Sequence, residues 1–200
     1  MLILPRIQLS HLNVNIWAGP GVGKSTTAAG LFYFLKLRGI GVELITEVAK
    51  DLVYQGDLAD TPQSQIITRQ FIRQTRVEGH VNVAVCDSPV PLALAYCTPA
   101  ERAEYAPVIR KAVAGWDTLD VLLVRDLTKS YDARGRYQTQ SEAARFTEEV
   151  FNPFVREWVG DSLVVLDADV ATVSRLTHMV LERLQGTAQV SSSDMATEAV

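Results

Sequence analysis

The sequence is poor in the residues that build disulfide frameworks, metal clusters and membrane spans. Its 200 residues contain only two cysteines, Cys86 and Cys97, and three histidines, and neither set has the spacing of a zinc site. No apolar run approaches the roughly 20 residues that a membrane-spanning helix needs. We therefore expect free thiols, as is typical of a reducing compartment such as the cytoplasm, and no membrane association.

A strong excess of either charge is also missing. The net charge of −4 gives no overall attraction to nucleic acid, so any contact with DNA requires a local basic patch. The apolar start, MLILPRIQLSH, is interrupted by Pro5 and Arg6 and has no leading basic residue, so we do not expect a signal peptide. The remaining composition, 48% hydrophobic and 21% charged, is ordinary for a globular domain.

Short apolar runs alternate with helical patterns along the chain. The runs predict strands at 12–18, 40–46, 81–87, 119–126 and 162–168, and the patterns predict helices at 24–37, 47–55, 61–77, 98–114, about 143–158 with a break at Pro153, and about 173–184. Parallel strands need such crossovers. We predict one α/β domain at 12–186, a five-stranded parallel sheet with helices on both faces, after an N-terminal extension (1–11) and before a disordered tail (187–200).

The first predicted strand runs into a glycine-rich loop typical of phosphate binding. The loop and the helix start comprise Gly19, Pro20, Gly21, Val22, Gly23, Lys24, Ser25 and Thr26. Glycines let backbone N–H groups approach phosphate oxygens, the lysine reaches the β- and γ-phosphates, and the Ser25 hydroxyl can bind Mg²⁺. The strict pattern begins with glycine where this chain has Ala18, a position that accepts a small side chain. We predict an ATP-binding P-loop.

Two carboxylates at strand ends are candidates for the chemistry beside the P-loop. Asp87 ends the third predicted strand in the sequence DSP, with no second acid directly after it. That absence favours phosphoryl transfer over hydrolysis, and we assign Asp87 to the Mg²⁺ side. Glu47 stands at the end of the second strand. There it takes a proton from an alcohol acceptor, binds only a sugar if the acceptor is already a phosphate, or stabilises a helix N-terminus. The sequence leaves open which of the two acids is the base.

Arginines supply the predicted anion contacts. Arg134 and Arg136 flank a glycine in a polar segment after the fourth strand, and they either form a lid over the transferring phosphate or lie in a solvated loop. Arg69 and Arg73 lie on one face of the third helix, where they either bind an anionic acceptor or remain solvated.

Three segments carry a resemblance to a set of bacteriophage P-loop kinases. They are GPGVGKSTTAAGLFYFLKLRGIGVELITEVAKDLVYQGD, DSPVPLALAY and RGRYQTQSEA, and the similarity covers about 13–168. Within that set the chain most resembles the 5-hydroxymethyluracil DNA kinases, relatives of the thymidylate and deoxynucleoside kinases. Those enzymes phosphorylate the hydroxymethyl group of 5-hydroxymethyldeoxyuridine in phage DNA, a step of thymidine hypermodification that defeats host restriction.

The resemblance implies a single P-loop kinase domain that works in the host cytoplasm on DNA containing 5-hydroxymethyluracil. It implies ATP at Gly19 to Thr26, an acid role for Asp87 and a lid role for Arg134 and Arg136. Two other functions remain open from the residues: a deoxynucleoside monophosphate kinase, and a P-loop ATPase that acts as a switch or assembly factor. The oligomeric state is also open, a homodimer included.

Overall fold

Five parallel strands form the centre of the molecule, as the sequence predicts. The computed structural model describes residues 11–124 and 139–197. The strands are β1 (Leu12–Trp17), β2 (Val42–Ile45), β3 (Val83–Cys86), β4 (Asp117–Val124) and β5 (Val164–Asp167). They pair in the order β2-β3-β1-β4-β5, every pair parallel. Because β2, β3 and β1 are neighbours, the loops that follow them meet at one edge of the sheet.

Seven α-helices connect and cover the strands in the described part of the chain. They are α1 (Lys24–Leu37), α2 (Val48–Gln55), α3 (Gln63–Thr75), α4 (Pro99–Val113), α5 (Gln140–Phe146), α6 (Asn152–Val159) and α7 (Thr172–Thr197). Short 3-10 segments lie at Leu58–Asp60, Val90–Tyr96 and Gly160–Ser162. Capping boxes fix the starts of α4 and α5, with Thr98 bonded to Glu101 and Thr139 to Glu142. In each box the two residues satisfy one another's free N–H groups.

The side chains of β1 alternate between two cores. Leu12, Val14 and Ile16 pack with α1 and α7 on one face of the sheet. Trp17 packs on the opposite face with residues of α3, α4 and α6 and with the 3-10 segment that ends at Tyr96. The predicted arrangement of helices on both faces is thereby confirmed. Gly30 lets α1 approach α7, since a Cβ there would lie 2.9 Å from Val173 Cγ2.

The predicted break at Pro153 takes a different form. Between α5 and α6 the backbone stays helical through a π turn, Thr147–Phe151, and Pro153 lies in the first turn of α6. Proline lacks the N–H that an uninterrupted α-helix would use. The wider turn before it absorbs that defect, so the helical path continues where the sequence predicted a break.

The last helix also differs from its prediction. The sequence predicts a helix over about 173–184 and disorder from 187, whereas α7 runs to Thr197. The extension contains no proline, and its alanine, glutamine and methionine are good helix formers. The division into N-terminal extension, domain and tail stays a prediction.

Two findings on membrane spans and cysteines concern residues 11–124 and 139–197. No helix there combines the length and apolar character needed to cross a membrane. Cys86 and Cys97 are buried free thiols, as the sequence predicts.

Candidate active site at the phosphate-binding loop

The P-loop connects the buried end of β1 to the first turn of α1. Gly21 and Gly23 have φ angles of 79° and 117°. Residues with a Cβ rarely adopt such positive φ angles. Ala18, at the place of the usual first glycine, is fully buried in the core below the loop. The Lys24 ammonium donates a hydrogen bond of 3.0 Å to the Ala18 carbonyl. The loop therefore has the geometry that the sequence predicts, and its alanine is part of the core.

The P-loop also packs against the π turn of the α5–α6 segment. A Cβ added to Gly19 would lie 1.9 Å from Thr147 Oγ1 and 2.8 Å from Thr147 Cβ. The Thr147 hydroxyl is itself held, because it donates a hydrogen bond of 2.6 Å to the carbonyl of Ala143. Glycine at position 19 is thus required by the close approach of Thr147.

A single cavity of about 630 Å³ extends from the P-loop to α2 and α3. Its polar end is formed by the P-loop, Lys24, Ser25 and Glu47. Its far end is lined by the apolar or aromatic side chains of Ala49, Val53, Tyr54, Leu58, Ile66, Pro89, Leu92, Ala93 and Tyr96 and by the polar residues Lys50, Gln63, Gln70 and Ser88. The volume suits a nucleoside-sized ligand next to bound phosphates.

Glu47 lies at the junction between the two ends of this cavity. It is the N-cap residue of α2 by backbone geometry, yet its side chain makes no capping hydrogen bond. Burial is the main cause that raises the pKa of Glu47, and the Asp87 carboxylate adds to it while the Lys24 ammonium opposes both. The carboxylate makes no capping hydrogen bond and lines the cavity, so it is available to a ligand, and its role stays a prediction.

Asp87 follows β3 and is 4% exposed. Its backbone N–H donates to the carbonyl of Ile45, and its carboxylate atom Oδ1 has no hydrogen-bond partner. A buried, unpaired carboxylate oxygen fits a ligand that brings positive charge, which is the role that the sequence predicts for Asp87 toward Mg²⁺. Among the described residues no group of three or more His, Cys, Asp or Glu side chains forms a ready metal cluster. A bound Mg²⁺ would therefore depend on Ser25, Asp87 and the nucleotide phosphates.

The sequence analysis did not identify Tyr96 as a site residue. Tyr96 lies on the cavity wall and stacks on Phe146 of α5, with ring centroids 4.9 Å apart. Burial and the neighbouring Glu47 carboxylate raise the pKa of Tyr96, so it is neutral at physiological pH. In the sequence it lies in an apolar run, VPLALAY, which gives no signal of a ligand contact.

The predicted arginines do not all reach the cavity. Arg69 is exposed and bonds to Gln65, and Arg73 pairs with Asp51 at 2.7 Å and bonds to Thr46. Neither belongs to the cavity wall, so their substrate-binding role stays a prediction. Arg134 and Arg136 lie outside the described residues, and the lid assignment likewise stays a prediction.

Solved structures with a similar fold include a deoxynucleoside kinase. Deoxyadenosine kinase from M. mycoides with bound dATP has a TM-score of 0.55 and 16% identity, over 86% of this chain and 99% of that one. The same kinase with dCMP and dCDP has a TM-score of 0.52 and 15% identity, over 88% and 99%.

NadR in complex with NAD and AMP-PNP has a TM-score of 0.58 and 15% identity, over 88% of this chain and 50% of NadR. Such identities show a shared fold, here that of P-loop kinases.

No curated protein sequence matches this chain significantly. The family model of an AAA domain, AAA_28, matches residues 13–171. The chain therefore belongs to the AAA_28 family of AAA domains.

Proposed function

We propose that this protein is an ATP-dependent kinase that phosphorylates the hydroxymethyl group of 5-hydroxymethyldeoxyuridine in DNA. The observation that carries the proposal is Glu47, a partly buried carboxylate without a capping bond, on the wall of the cavity that begins at the P-loop. An alcohol acceptor needs a group that takes its proton, and a carboxylate within hydrogen-bond reach does this.

The proposed reaction is a direct phosphoryl transfer. The hydroxymethyl oxygen bonds to the γ-phosphorus of ATP, and the bond between that phosphorus and the β–γ bridging oxygen breaks. ADP leaves, and the alcohol proton passes to Glu47. Because burial raises the pKa of Glu47, its carboxylate is a stronger base than an exposed glutamate.

The other site residues hold the phosphates. The P-loop N–H groups and the N-terminus of α1 face the anionic end of ATP. Lys24, whose ammonium rests on the Ala18 carbonyl, would turn to the β- and γ-phosphates. Ser25 and Asp87 would hold Mg²⁺, which supplies positive charge against the transferring phosphoryl group. Arg134 and Arg136 are proposed as the lid that closes over it.

The cavity suits a neutral acceptor better than a monophosphate. Its described wall carries two cations, Lys24 and Lys50, and Lys24 is assigned to the nucleotide. Within the described wall, an acceptor with a phosphate dianion would then have Lys50 as its one cation, next to the Glu47 carboxylate. The apolar side chains at the far end instead match the face of a nucleobase turned out of the DNA stack, which brings its hydroxymethyl group to Glu47.

A free deoxynucleoside is the second candidate acceptor. The observation that favours it is the shared fold with deoxyadenosine kinase, together with a cavity large enough for a nucleoside. Its 5′-hydroxyl is also a primary alcohol, so Glu47 would have the same role. The two candidates differ in whether the acceptor enters from a DNA strand.

Labelled ATP with four acceptor sets distinguishes these functions: DNA with 5-hydroxymethyluracil, the same DNA with thymine, free deoxynucleosides and deoxynucleoside monophosphates. We expect label in the first set only. Glu47→Gln should slow this transfer by about two to four orders of magnitude, while ATP affinity stays nearly unchanged.

Other outcomes point elsewhere. Label in free deoxynucleosides alone promotes the second candidate. Transfer to monophosphates that Glu47→Gln does not affect would refute both alcohol-kinase proposals. Phosphate release without any labelled acceptor would indicate an ATPase.

A further inference from the structure

Helix α3 holds the turn that carries Glu47 from both sides. Gln70 is 4% exposed, and its side-chain Oε1 accepts a hydrogen bond of 2.9 Å from the backbone N–H of Val48. Its Nε2 donates to the carbonyl of Thr46 at 3.3 Å. One amide therefore fixes the residue before Glu47 and the residue after it.

Arg73 fastens the same turn one helical turn further along α3. Its guanidinium donates to Thr46 Oγ1 at 2.9 Å and pairs with Asp51 of α2 at 2.7 Å. Asp51 lies in the first turn of α2, so Arg73 ties the start of that helix to α3. The Arg73 guanidinium is therefore bonded to side chains of the protein, those of Thr46 and Asp51.

We propose that Gln70 is a positioning residue for Glu47: its side-chain amide holds the backbone on both sides of Glu47 and leaves the carboxylate free to face the cavity. The proposal rests on the function proposed above, since it assigns a support to the same base. An acid at an N-cap usually bonds to free N–H groups of its own helix. Such a bond goes to the second or third residue of the helix; the N–H of the first, Val48, bonds to Gln70, and the Glu47 side chain makes no capping bond.

Gln74 provides a matched control on the same helix. It is 1% exposed, and it accepts from the backbone N–H of Val90 and donates to Asn13 and Asn15. It makes no hydrogen bond to the Glu47 turn. Replacing Gln74 thus removes a comparable set of buried hydrogen bonds and leaves the turn in place.

The test compares Gln70→Met, Gln70→Glu and Gln74→Met in transfer to DNA containing 5-hydroxymethyluracil, with melting temperature as the measure of folding. Methionine keeps the volume of glutamine and leaves one backbone N–H without a partner in either position. Gln70→Met should lower kcat by about tenfold or more, because a small misplacement of a reacting group is costly, and leave KM for ATP and for DNA unchanged. Gln70 also lines the cavity, so a raised KM for DNA with wild-type kcat would make it a substrate contact and overturn the positioning role. Gln74→Met should lower the melting temperature to a similar degree with a much smaller change in kcat.

The pH dependence of kcat is a second measurement, and a general loss of stability does not change it. The acid limb of this profile is the fall of kcat at low pH, where Glu47 becomes protonated. Loosening the turn admits water to Glu47, so in Gln70→Met the pKa of Glu47 falls toward the ordinary value and the acid limb shifts to lower pH. Gln70→Glu adds a neighbouring negative charge, so the limb shifts to higher pH. All variants keep the other groups that act on Glu47. These are the charged side chains of Lys24, Lys50, Asp51 and Asp87, the Tyr96 hydroxyl and Arg73.

The outcomes decide between the positioning role and its alternatives. Opposite shifts of the acid limb in the two Gln70 variants, with none in Gln74→Met, support the positioning role. Wild-type kcat in Gln70→Met, or the same kcat loss and the same limb shift in Gln74→Met, overturns it. If Gln70→Met does not fold, an unshifted limb in Gln70→Glu overturns it as well. Wild-type turnover in Glu47→Gln instead refutes the proposed base, which separates the failure of the function from the failure of its support.

Discussion

Replacing Gly19 by alanine tests the packing between the P-loop and the π turn. The backbone at Gly19 has no positive φ, so alanine itself is not strained there, unlike at Gly21 or Gly23. The new Cβ would lie 1.9 Å from Thr147 Oγ1 and 2.7 Å from Thr147 Cγ2, and real Cβ contacts under 3.0 Å essentially never occur. The two segments must therefore separate by about 1 Å or more.

The structure sets the size of the effect. Threonine in a helical turn has few side-chain rotamers, and the Thr147 hydroxyl is bonded to Ala143, so the side chain cannot simply rotate away. Overpacking of this kind costs about 1–3 kcal/mol, which corresponds to a melting temperature roughly 2–12 °C lower in a domain of this size. A P-loop displaced by about 1 Å should also lose about a hundredfold in turnover.

The assay combines thermal unfolding with kinase turnover, and it has a control and a rescue. Gly115→Ala is the control, because a Cβ there meets nothing within 4 Å, and it should behave as wild type. Thr147→Ala in the Gly19→Ala background removes the two side-chain atoms that clash most, so the double variant should recover most of the loss. If Gly19→Ala matches Gly115→Ala, or if Thr147→Ala restores nothing, the packing argument is wrong.

Three further predictions concern the site. Lys24→Ala should reduce turnover by several orders of magnitude and leave the fold intact, measured by turnover and by circular dichroism; retention of more than about a tenth of the activity would mean that the loop is not the catalytic phosphate site. Arg134→Ala and Arg136→Ala should lower kcat far more than ATP affinity, measured by turnover and by nucleotide titration, whereas a raised KM for DNA alone would make them substrate-binding residues. Burial raises the pKa of Glu47 above its ordinary 4.5, so ionisation of Glu47 opposes folding once the pH rises above that value. Glu47→Gln should therefore melt at a higher temperature than wild type at pH 7, with the difference vanishing below the ordinary pKa; an equal gain at low pH would contradict the burial argument.

Several features of this protein follow from short stretches of sequence. The P-loop is local: a strand, a glycine-rich turn and a helix start form it within a few consecutive residues, so GPGVGKST predicts the loop and its place before α1. The apolar periods likewise predict five strands and their parallel crossovers. Asp87 and Glu47 were identified for the same reason, because parallel strands bring their carboxyl ends to one edge of the sheet.

The sequence did not determine which residues hold those acids in place. Gln70 and Arg73 are separated from Glu47 by more than 20 residues, and only the packing of α3 against the turn before α2 brings them together. Sequence spacing placed Arg73 on a face with Arg69 and predicted an anion contact. The ion pair of Arg73 with Asp51 depends on that packing and leaves no trace in the helical period.

In the central strand, β1, one part of the arrangement follows from the sequence and another from the tertiary structure. Its sequence LNVNIW predicts a strand, and the hydrophobic pattern places Leu12, Val14 and Ile16 on one face. The other face buries Asn13 and Asn15. Gln74 donates to the Asn13 side-chain oxygen and Asp120 accepts from the Asn15 amide, and both partners lie far away in the chain, whereas Asn13 Nδ2 has no partner. Local propensity and period are encoded by near neighbours, and they determined the strands, the helices and the P-loop. Buried polar groups need partners from other elements, so the support of the catalytic edge and the contact of Gly19 with Thr147 were decided only by the tertiary structure.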